Sequence, residues 1–243
     1  MPALMLDWHI HRYDEVTSTQ DIAADMARAG CVEGTVVVTK SQTAGRGRIG
    51  NVWQSHSGNL LTSIVLRPDI EPAQAGQYSF LTAVALNRTL SEMLNDSHSI
   101  LNKWPNDLLV DGKKIAGILL ESVLDGPRFA ALVIGMGVNV ASSPEDKTSL
   151  TALGAAQETS ETVLVAFLAN LKEVLLEFDQ DGFAPFHEEW LDHAMNLHKT
   201  ITVRLPSGTL DGVFEGLEVD GALRLRLANG DIKVIHSGEV FFG

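Results

Sequence analysis

Residues 103–117 read KWPNDLLVDGKKIAG, a stiff turn followed by the two arms of a hairpin. Pro105 removes a backbone donor and holds the preceding Trp104 in an extended conformation. The turn therefore presents a lysine, an indole, an amide and a carboxylate together. Asp111-Gly112 is typical of a two-residue hairpin turn and predicts antiparallel strands on both sides. Two lysines at the start of the second arm place ammonium groups on a rigid element.

The hairpin continues into a third strand. The apolar pattern carries the second arm to about residue 123 and returns as a strand over residues 128–140. Gly135 and Gly137 leave that strand without side chains at two positions. The usual reason for glycines within a strand is the close approach of a ligand or of another backbone. Asn139 shares their face, because successive side chains of a strand point to opposite sides.

The N-terminal part alternates strands and helices. Residues 8–16 and 35–40 predict strands, and residues 74–94 predict a helix packed on the sheet. Between the first two strands a helix begins near Ser18 or Thr19. A hydroxyl at a helix start serves either as an N-cap or as part of a site for a polar ligand. The pattern favours the N-cap and leaves the second interpretation open.

Residues 43–53 read TAGRGRIGNVW and follow a buried strand directly. The spacing of Gly45, Gly47 and Gly50 matches the dinucleotide-binding fingerprint, but that motif must open a helix, and residues 59–66 are strand-like instead. Arginines interleaved with glycines favour a loop that approaches a ligand closely while its guanidinium groups bind carboxylate or phosphate. A flexible surface loop is the alternative.

The composition indicates a soluble globular protein with a site for a small anion. The 243 residues carry a formal net charge of -13, and cations are concentrated in the two stretches quoted above. Nucleic acid requires a clustered basic surface, so this distribution argues against a nucleic-acid partner. The sequence has neither a run of apolar residues long enough to span a membrane nor the pattern of a secretory signal. We therefore expect a cytoplasmic protein without a membrane partner.

The sequence offers little for a metal or a disulfide. The single cysteine, Cys31, excludes an intramolecular disulfide and a cysteine-based zinc cluster, and we interpret it as a small buried hydrophobe. His9 and His11 share one face of the first strand, but no third ligand is evident. We therefore predict no dedicated metal site.

The C-terminal part changes character near residue 200. Ser160 is predicted to cap a long amphipathic helix, and a second helix covers residues 183–191. From Thr200 onward, short alternating strands are separated by turn pairs such as Asp220-Gly221 and Asn229-Gly230, which predicts a small five-stranded barrel. We accordingly divide the chain into domains 1–195 and 196–243.

Four blocks of the chain stand in an order that is known from one family: Ser18-Thr19-Gln20, Gly45-Arg46-Gly47-Arg48 with Trp53, residues 103–107 continuing into 114–119, and residues 135–139 (GMGVN). With these blocks, nearly the whole chain resembles the biotin protein ligases, also called biotin-[acetyl-CoA-carboxylase] ligases. The resemblance implies an α/β (α+β) fold with a class II aminoacyl-tRNA synthetase-like catalytic domain of the biotin–lipoate ligase type. It also implies that the C-terminal domain is an SH3-like β-barrel.

The resemblance further implies an activity in two half-reactions. Biotin and ATP, which brings Mg²⁺ with it, form biotinyl-5′-AMP and pyrophosphate, and the biotinyl group then passes to a lysine of a biotin carboxyl carrier protein. Regulatory members of the family carry an N-terminal winged helix, for which this chain leaves no room. We therefore expect a ligase without repressor function. Family members include monomers and dimers, and we expect a monomer or a weak homodimer here.

Roles for individual residues also follow from the resemblance. Lys114 is expected to be the principal catalytic residue, with Arg46 and Arg48 holding carboxylate and phosphate and Asp107 orienting the acceptor amine. Gly135 and Gly137 are expected to leave room for the biotin bicycle. The residues implied for biotin binding are Ser18, Thr19, Gln20, Gln42, Arg46, Gly47, Arg48, Lys114, Gly117, Gly135 and Gly137. Those implied for ATP binding are Arg46, Arg48, Trp53, Lys103, Asn106, Lys114 and Asn139.

Three other functions are compatible with parts of the sequence. A lipoate or octanoate ligase shares the fold, although the KWPND and GRGR blocks favour biotin. A binding module without activity is disfavoured by the intact cations, and a dinucleotide-dependent oxidoreductase by the missing helix. Asp107 also reads as a residue that stabilises its own turn, and Lys113 as a solvated neighbour of the hairpin. Asn51 replaces an arginine that is common in the family, which predicts weaker loop closure.

Overall fold

The computed structural model describes residues 6–125 and 128–241. Its regular elements are β1 (His9–Val16), α1 (Thr19–Arg28), β2 (Thr35–Gln42), β3 (Leu60–Leu66), α2 (Gln77–Met93), β4 (Ile100–Lys103), β5 (Asp107–Val110), β6 (Lys113–Asp125), β7 (Arg128–Val138), α3 (Ser160–Asp181), α4 (Ala184–Asp192), β8 (Thr200–Leu205), β9 (Gly208–Leu217), β10 (Leu223–Arg226), β11 (Ile232–Ile235) and β12 (Glu239–Phe241). The predicted helices and strands are confirmed, with shifts of a few residues at their ends. The predicted turn at 125–127 includes Gly126 and Pro127, which lie outside the described residues.

Strands β1 to β7 form one seven-stranded sheet in the order β1-β2-β3-β7-β6-β5-β4. β1 and β2 run parallel, and the other neighbours are antiparallel. The three strands at the centre are therefore β3, β7 and β6. These strands carry the glycines and the lysine that the sequence analysis singles out.

The sheet is covered on both faces, as the alternation of side chains along β2 and β3 requires. Val36 and Ile64 point into a large core shared with α2, α3 and α4, whereas Val37 and Val65 point into a smaller core under α1. The buried apolar residues of α1 are all alanines, so this helix packs with its backbone close to the sheet. Its N-terminus is thereby held near the sheet surface, beside the site described below.

The Asp111-Gly112 turn is the two-residue hairpin that the sequence predicts. Both residues have positive φ, 50° and 78°, which is the backbone of a type I′ turn. β6 starts immediately after it, and alternation along the strand separates the two lysines: Lys113 is exposed and Lys114 is half-buried. The turn thus decides which of the two ammonium groups faces the site.

Strands β8 to β12 form a second, antiparallel sheet in the order β11-β10-β9-β8-β12. The predicted number of strands is confirmed, but β11 and β12 are the two edges in the described part of the chain, so hydrogen bonds do not close the predicted barrel there. The sheet is fixed to the rest of the protein by the Trp104 indole, whose Nε1 donates to the Gly221 carbonyl at 3.0 Å. The Phe80 ring also lies against Gly221, where a Cβ would come within 2.1 Å of the ring.

Two local predictions are wrong. The N-cap of α3 is Thr159 and not Ser160, because the Thr159 hydroxyl accepts from the Thr162 N–H at 3.2 Å while the Thr162 hydroxyl accepts from the Thr159 N–H at 2.9 Å. This reciprocal pair is a capping box. Cys31, in the loop after α1, is half-buried and not buried. Within residues 6–125 and 128–241, no helix has the length and apolar character of a membrane span.

Candidate functional site

One cavity of about 360 Å³ lies between the central strands, the loop after β2, the turn before β5 and the edge strand β12. Its walls contain every predicted site residue except Asn139, namely Ser18, Thr19, Gln20, Gln42, Arg46, Gly47, Arg48, Trp53, Lys103, Asn106, Asp107, Lys114, Gly117, Gly135 and Gly137. The tertiary structure therefore gathers residues that are up to 119 positions apart in the sequence.

The N-terminus of α1 forms a polar corner of this cavity. Ser18 is the N-cap, and its Oγ accepts from the Gln20 N–H at 3.3 Å. Thr19 donates its N–H and its hydroxyl to Gln42 Oε1, at 2.8 and 3.2 Å, and the Gln20 carboxamide donates to the Val133 carbonyl at 3.1 Å. The N-cap interpretation of this helix start is therefore confirmed. The capping residues also line the cavity, and their role in binding a polar ligand stays a prediction.

Ser63 on β3 completes the polar corner and is absent from the sequence predictions. Its hydroxyl oxygen lies 2.9 Å from Thr19 Oγ1 and 3.0 Å from Gln20 Oε1, and the residue is fully buried. Ser63 stands opposite Gly135 in the β3–β7 register. In the sequence it is one small residue within an apolar strand, so only the register reveals its place.

Gly135 and Gly137 of β7 lie directly beneath two protein side chains. A Cβ on Gly135 would lie 2.4 Å from Gln20 Oε1, and a Cβ on Gly137 would lie 2.3 Å from Trp53 Cε2. A side chain at either position would therefore meet Gln20 or Trp53, while the expectation that the two glycines leave room for the biotin bicycle stays a prediction. They allow Gln20 and Trp53 to lie directly on the sheet, where these side chains form the surface that a ligand meets.

The loop after β2 is a small hairpin of its own. Gly47 N–H donates to the Asn51 carbonyl at 2.7 Å, and Trp53 N–H donates to the Gly45 carbonyl at 3.0 Å. A short 3₁₀ turn, Arg48–Gly50, closes its tip, and the next regular element is strand β3. The exclusion of a dinucleotide-binding helix is therefore confirmed.

The two arginines of this loop have different surroundings. Arg46 Nη2 lies 2.6 Å from Glu121 Oε2 and 3.2 Å from Asp21 Oδ1, so its charge is balanced by protein carboxylates. Arg48 contacts neutral groups instead, at 3.4 Å from Asn106 Oδ1 and 3.5 Å from Ser237 Oγ. Burial lowers the pKa of the Arg48 guanidinium, because desolvation disfavours the charged form.

Lys114 and Asp107 form an ion pair at the start of β6. Lys114 Nζ lies 2.6 Å from Asp107 Oδ1, and both side chains are largely shielded from solvent. The same ammonium lies 5.4 Å from the ring centroid of Trp53, within the range of a cation–π contact. The turn that carries Asp107 is held against β6, because Asn106 Nδ2 donates to the Ile118 carbonyl at 2.6 Å.

The edge strand β12 brings the second sheet into the cavity wall. Glu239 contributes a carboxylate there, and its charge acts to raise the pKa values of both Arg48 and Lys103. Burial is nevertheless the larger influence on Lys103 and lowers its pKa. The Lys103 ammonium also lies 5.8 Å from the ring centroid of Phe241. This contribution is not predicted from the sequence, because the docking of the second sheet against the cavity depends on the tertiary structure.

Asn139 lies behind the cavity wall. It is buried, and its amide donates to the Thr148 carbonyl at 3.1 Å while its Oδ1 lies 3.4 Å from Asn59 Nδ2. These bonds fix the loop that follows β7. That loop places Lys147 in the cavity wall, with the next residue's N–H bonded to the Lys114 carbonyl at 3.0 Å.

Lys147 is a third wall residue, after Ser63 and Glu239, that the sequence does not predict. Its side chain makes no hydrogen bond or ion pair with the part of the chain that the structure describes. The irregular sequence of residues 142–157 carries no periodicity that would mark it.

No group of three or more histidine, cysteine, aspartate or glutamate side chains suited to a metal ion is found within residues 6–125 and 128–241.

Comparison with known proteins gives the family. The Biotin/lipoate A/B protein ligase family matches residues 13–139, and the Biotin protein ligase C terminal domain matches residues 197–243. The biotin--[acetyl-CoA-carboxylase] ligase of Paracoccus denitrificans is 38% identical over 216 residues, which cover 85% of this chain and 90% of that protein. The bifunctional ligase/repressor BirA of Bacillus subtilis is 34% identical over 244 residues, with 97% of this chain and 74% of that protein covered.

Solved structures agree with this assignment. The biotin protein ligase from Aquifex aeolicus in complex with biotin and ATP superimposes with a TM-score of 0.79 at 28% sequence identity, over 96% of this chain and 97% of that chain. The predicted fold, with its α/β catalytic part and its antiparallel C-terminal sheet, is thereby confirmed. The chain belongs to the biotin protein ligases.

Proposed function

We propose that this protein activates biotin with ATP as biotinyl-5′-AMP and transfers the biotinyl group to a lysine of a biotin carboxyl carrier protein, a subunit of acetyl-CoA carboxylase. The observation that carries the proposal is that one cavity contains both a hydrogen-bonding corner and a set of cations. The corner at Ser18, Thr19 and Gln20 offers the mixed donors and acceptors that a ureido ring needs. Arg48 and Lys114 offer the positive charge that a carboxylate and a phosphate need.

In the first half-reaction, a carboxylate oxygen of biotin attacks the α-phosphorus of ATP, and the bond from that phosphorus to pyrophosphate breaks. Two anions must approach each other, so the enzyme has to position them and stabilise the charge on the phosphoryl oxygens. Lys114 is placed to do this once its ammonium leaves Asp107. Arg48 is the second anion-binding residue, because among residues 6–125 and 128–241 its guanidinium hydrogen-bonds only neutral groups.

In the second half-reaction, the lysine amine of the carrier attacks the carbonyl carbon of the mixed anhydride, and AMP leaves with the electrons of the broken bond. The amine must lose a proton to become a stable amide. Asp107 lies beside Lys114 at 2.6 Å and accepts that proton or orients the amine. The hairpin loop around Arg48 excludes water from the anhydride in the meantime.

ATP and its metal ion are assigned to the same cavity in this proposal. Mg²⁺ neutralises phosphate charge, and it keeps several waters while it binds through one or two carboxylates and the phosphates of a substrate. The wall carboxylates Asp107 and Glu239 are consistent with an ion that arrives on ATP. Lys103 and Lys147 add two positive charges to the part of the cavity wall that is proposed to bind ATP. Asn139 supports this part by holding the loop that carries Lys147.

Biotin is favoured over lipoate or octanoate. The family that matches residues 13–139 includes ligases of both acids. The domain that matches residues 197–243 is that of biotin protein ligases, and the relatives named above are biotin ligases.

We extend the proposal to a domain boundary between residues 195 and 196, just before β8 begins at Thr200. A cytoplasmic location belongs to the same proposal, because ATP is a substrate and the only cysteine cannot form an intramolecular disulfide.

The proposal is tested by the exchange of labelled pyrophosphate into ATP. The purified protein is assayed with biotin, with lipoate, with octanoate and without an acid. We expect exchange with biotin alone. Exchange with lipoate or octanoate instead would assign the protein to the neighbouring activity, and the absence of exchange with every acid would support a binding module.

A further inference from the structure

Two carboxylates outside the cavity wall face the arginine that leads the hairpin loop. Asp21 lies in the first turn of α1, and Glu121 lies in the middle of β6. Arg46 Nη2 is 3.2 Å from the first and 2.6 Å from the second. A single guanidinium nitrogen is thus shared by two acidic side chains from two different elements of the scaffold.

At its base the loop is joined to the end of β1, where the N–H groups of residues 43 and 44 donate to the carbonyls of residues 16 and 17 at 3.0 and 2.8 Å. Beyond this base, the polar attachments of the loop are weaker or internal. Its backbone bonds, from Gly47 to Asn51 and from Trp53 to Gly45, join the loop to itself. Arg48 reaches the scaffold at 3.4 and 3.5 Å, which is the outer limit for a hydrogen bond. Within the described residues, the pairs of Arg46 are therefore the short, charged links between the loop and the body of the protein.

We propose that Asp21 and Glu121 form a latch that holds the hairpin loop closed through Arg46. Both carboxylates are positioning residues. Arg46 pairs with them and so holds the loop in place, and it does not bind the ligand itself. The consequence for catalysis rests on the proposed function, since a closed loop then retains biotinyl-5′-AMP. The latch itself is a property of the protein without substrates.

The exposure of the pairs suits a latch that must open in every turnover. The side chains of Arg46, Asp21 and Glu121 are 41%, 46% and 34% exposed. Ion pairs of this kind are weak and are screened by salt. A loop held in this way stays closed most of the time and still opens for the amine of the carrier, whereas a buried pair would resist opening.

The test is limited trypsin digestion of the full-length protein without substrates, because trypsin cuts after Arg46 and Arg48 only when the loop is open. Asp21→Asn and Glu121→Gln are compared with wild type singly and together. We expect each single variant to be cut about two- to fivefold faster at low salt, the range for the loss of one exposed pair. Raising the salt concentration should bring the wild-type rate up to that of the double variant.

The matched control is Asp25→Asn with Glu215→Gln, which removes two exposed ion pairs of arginine elsewhere, to Arg28 and Arg226. This control should be cut at the wild-type rate. Equal cutting of the wild type and the Asp21→Asn/Glu121→Gln variant, with the same salt dependence, would overturn the latch.

A second readout is the release of bound biotinyl-5′-AMP. The latch variants should form it at the wild-type rate and release it about two- to fivefold faster. Slower formation with unchanged release would contradict the latch. If the wild type makes no adenylate, the proposed function fails, but the digestion result still decides the latch.

Discussion

The ammonium nitrogen of Lys114 lies 2.6 Å from a carboxylate oxygen of Asp107. The two side chains therefore neutralise each other in the structure. In the mechanism that we propose, an incoming carboxylate or phosphate competes with Asp107 for the lysine. Movement of the lysine to the adenylate would then release the carboxylate for the second step, and one ion pair would couple the order of the two half-reactions.

Removing the lysine should abolish most of the adenylation activity. Lys114→Ala is expected to lose at least about 2 kcal/mol of transition-state stabilisation, or about 30-fold in rate, because one charge-stabilising donor is lost. The measurement is the rate of biotinyl-5′-AMP formation at saturating biotin and ATP. Lys113→Ala is the matched control, since its side chain is the exposed neighbour. Adenylate formation at the wild-type rate in Lys114→Ala would refute the assignment.

Asp107→Asn should affect the second half-reaction more than the first. We expect transfer from preformed biotinyl-5′-AMP to the carrier to slow by about 100-fold or more, the scale of general acid–base catalysis. The control is Asp146→Asn, an exposed aspartate in the loop of Lys147. Single-turnover measurements separate the two steps. If both steps slow equally, Asp107 acts only by stabilising its turn.

The glycine beneath Trp53 should not tolerate a methyl group. Gly137→Ala would place a Cβ 2.3 Å from the indole, whereas Gly117→Ala on the neighbouring strand would place one 3.0 Å from the same ring. We expect Gly137→Ala to displace the indole and to raise the KM for ATP, the substrate to which Trp53 is assigned, by about tenfold, equivalent to about 1.4 kcal/mol, with a smaller effect for Gly117→Ala. Because the chain has four tryptophans, the fluorescence of this ring is isolated by subtracting the signal of a Trp53→Phe variant. Equal effects of the two substitutions would contradict this geometry.

Lys147 should contribute to ATP binding and not to biotin binding. Lys147→Ala is expected to raise the KM for ATP by about tenfold, because a charged hydrogen bond contributes about 1.5 kcal/mol or more. The KM for biotin should remain unchanged, and the effect should shrink at high salt. Lys199→Ala, an exposed lysine far along the chain, serves as the control. A parallel rise in both KM values would show that the loop, and not the charge, is responsible.

Turns and helix caps that depend only on residues adjacent in the chain could be predicted from the sequence. Asp111-Gly112 adopts the predicted turn because its backbone requirement is local, and Ser18 caps α1 for the same reason. The cap of α3 shows the limit of such reasoning. Thr159 and Ser160 are equally good hydroxyl caps by type, and only the reciprocal bond with Thr162 selects the first.

The sequence by itself determined the order of strands and helices, the exclusion of a dinucleotide-binding loop, and the set of glycines, arginines and lysines around one anion site. These results rest on local backbone preferences and on motif order. Only the tertiary structure decided what those residues contact: Arg46 with Glu121, Ser63 with Gln20, and the contributions of Lys147 and Glu239. Such contacts depend on sheet register and on the docking of the second sheet, which are set by burial summed over the whole chain and leave no mark on any one stretch of sequence.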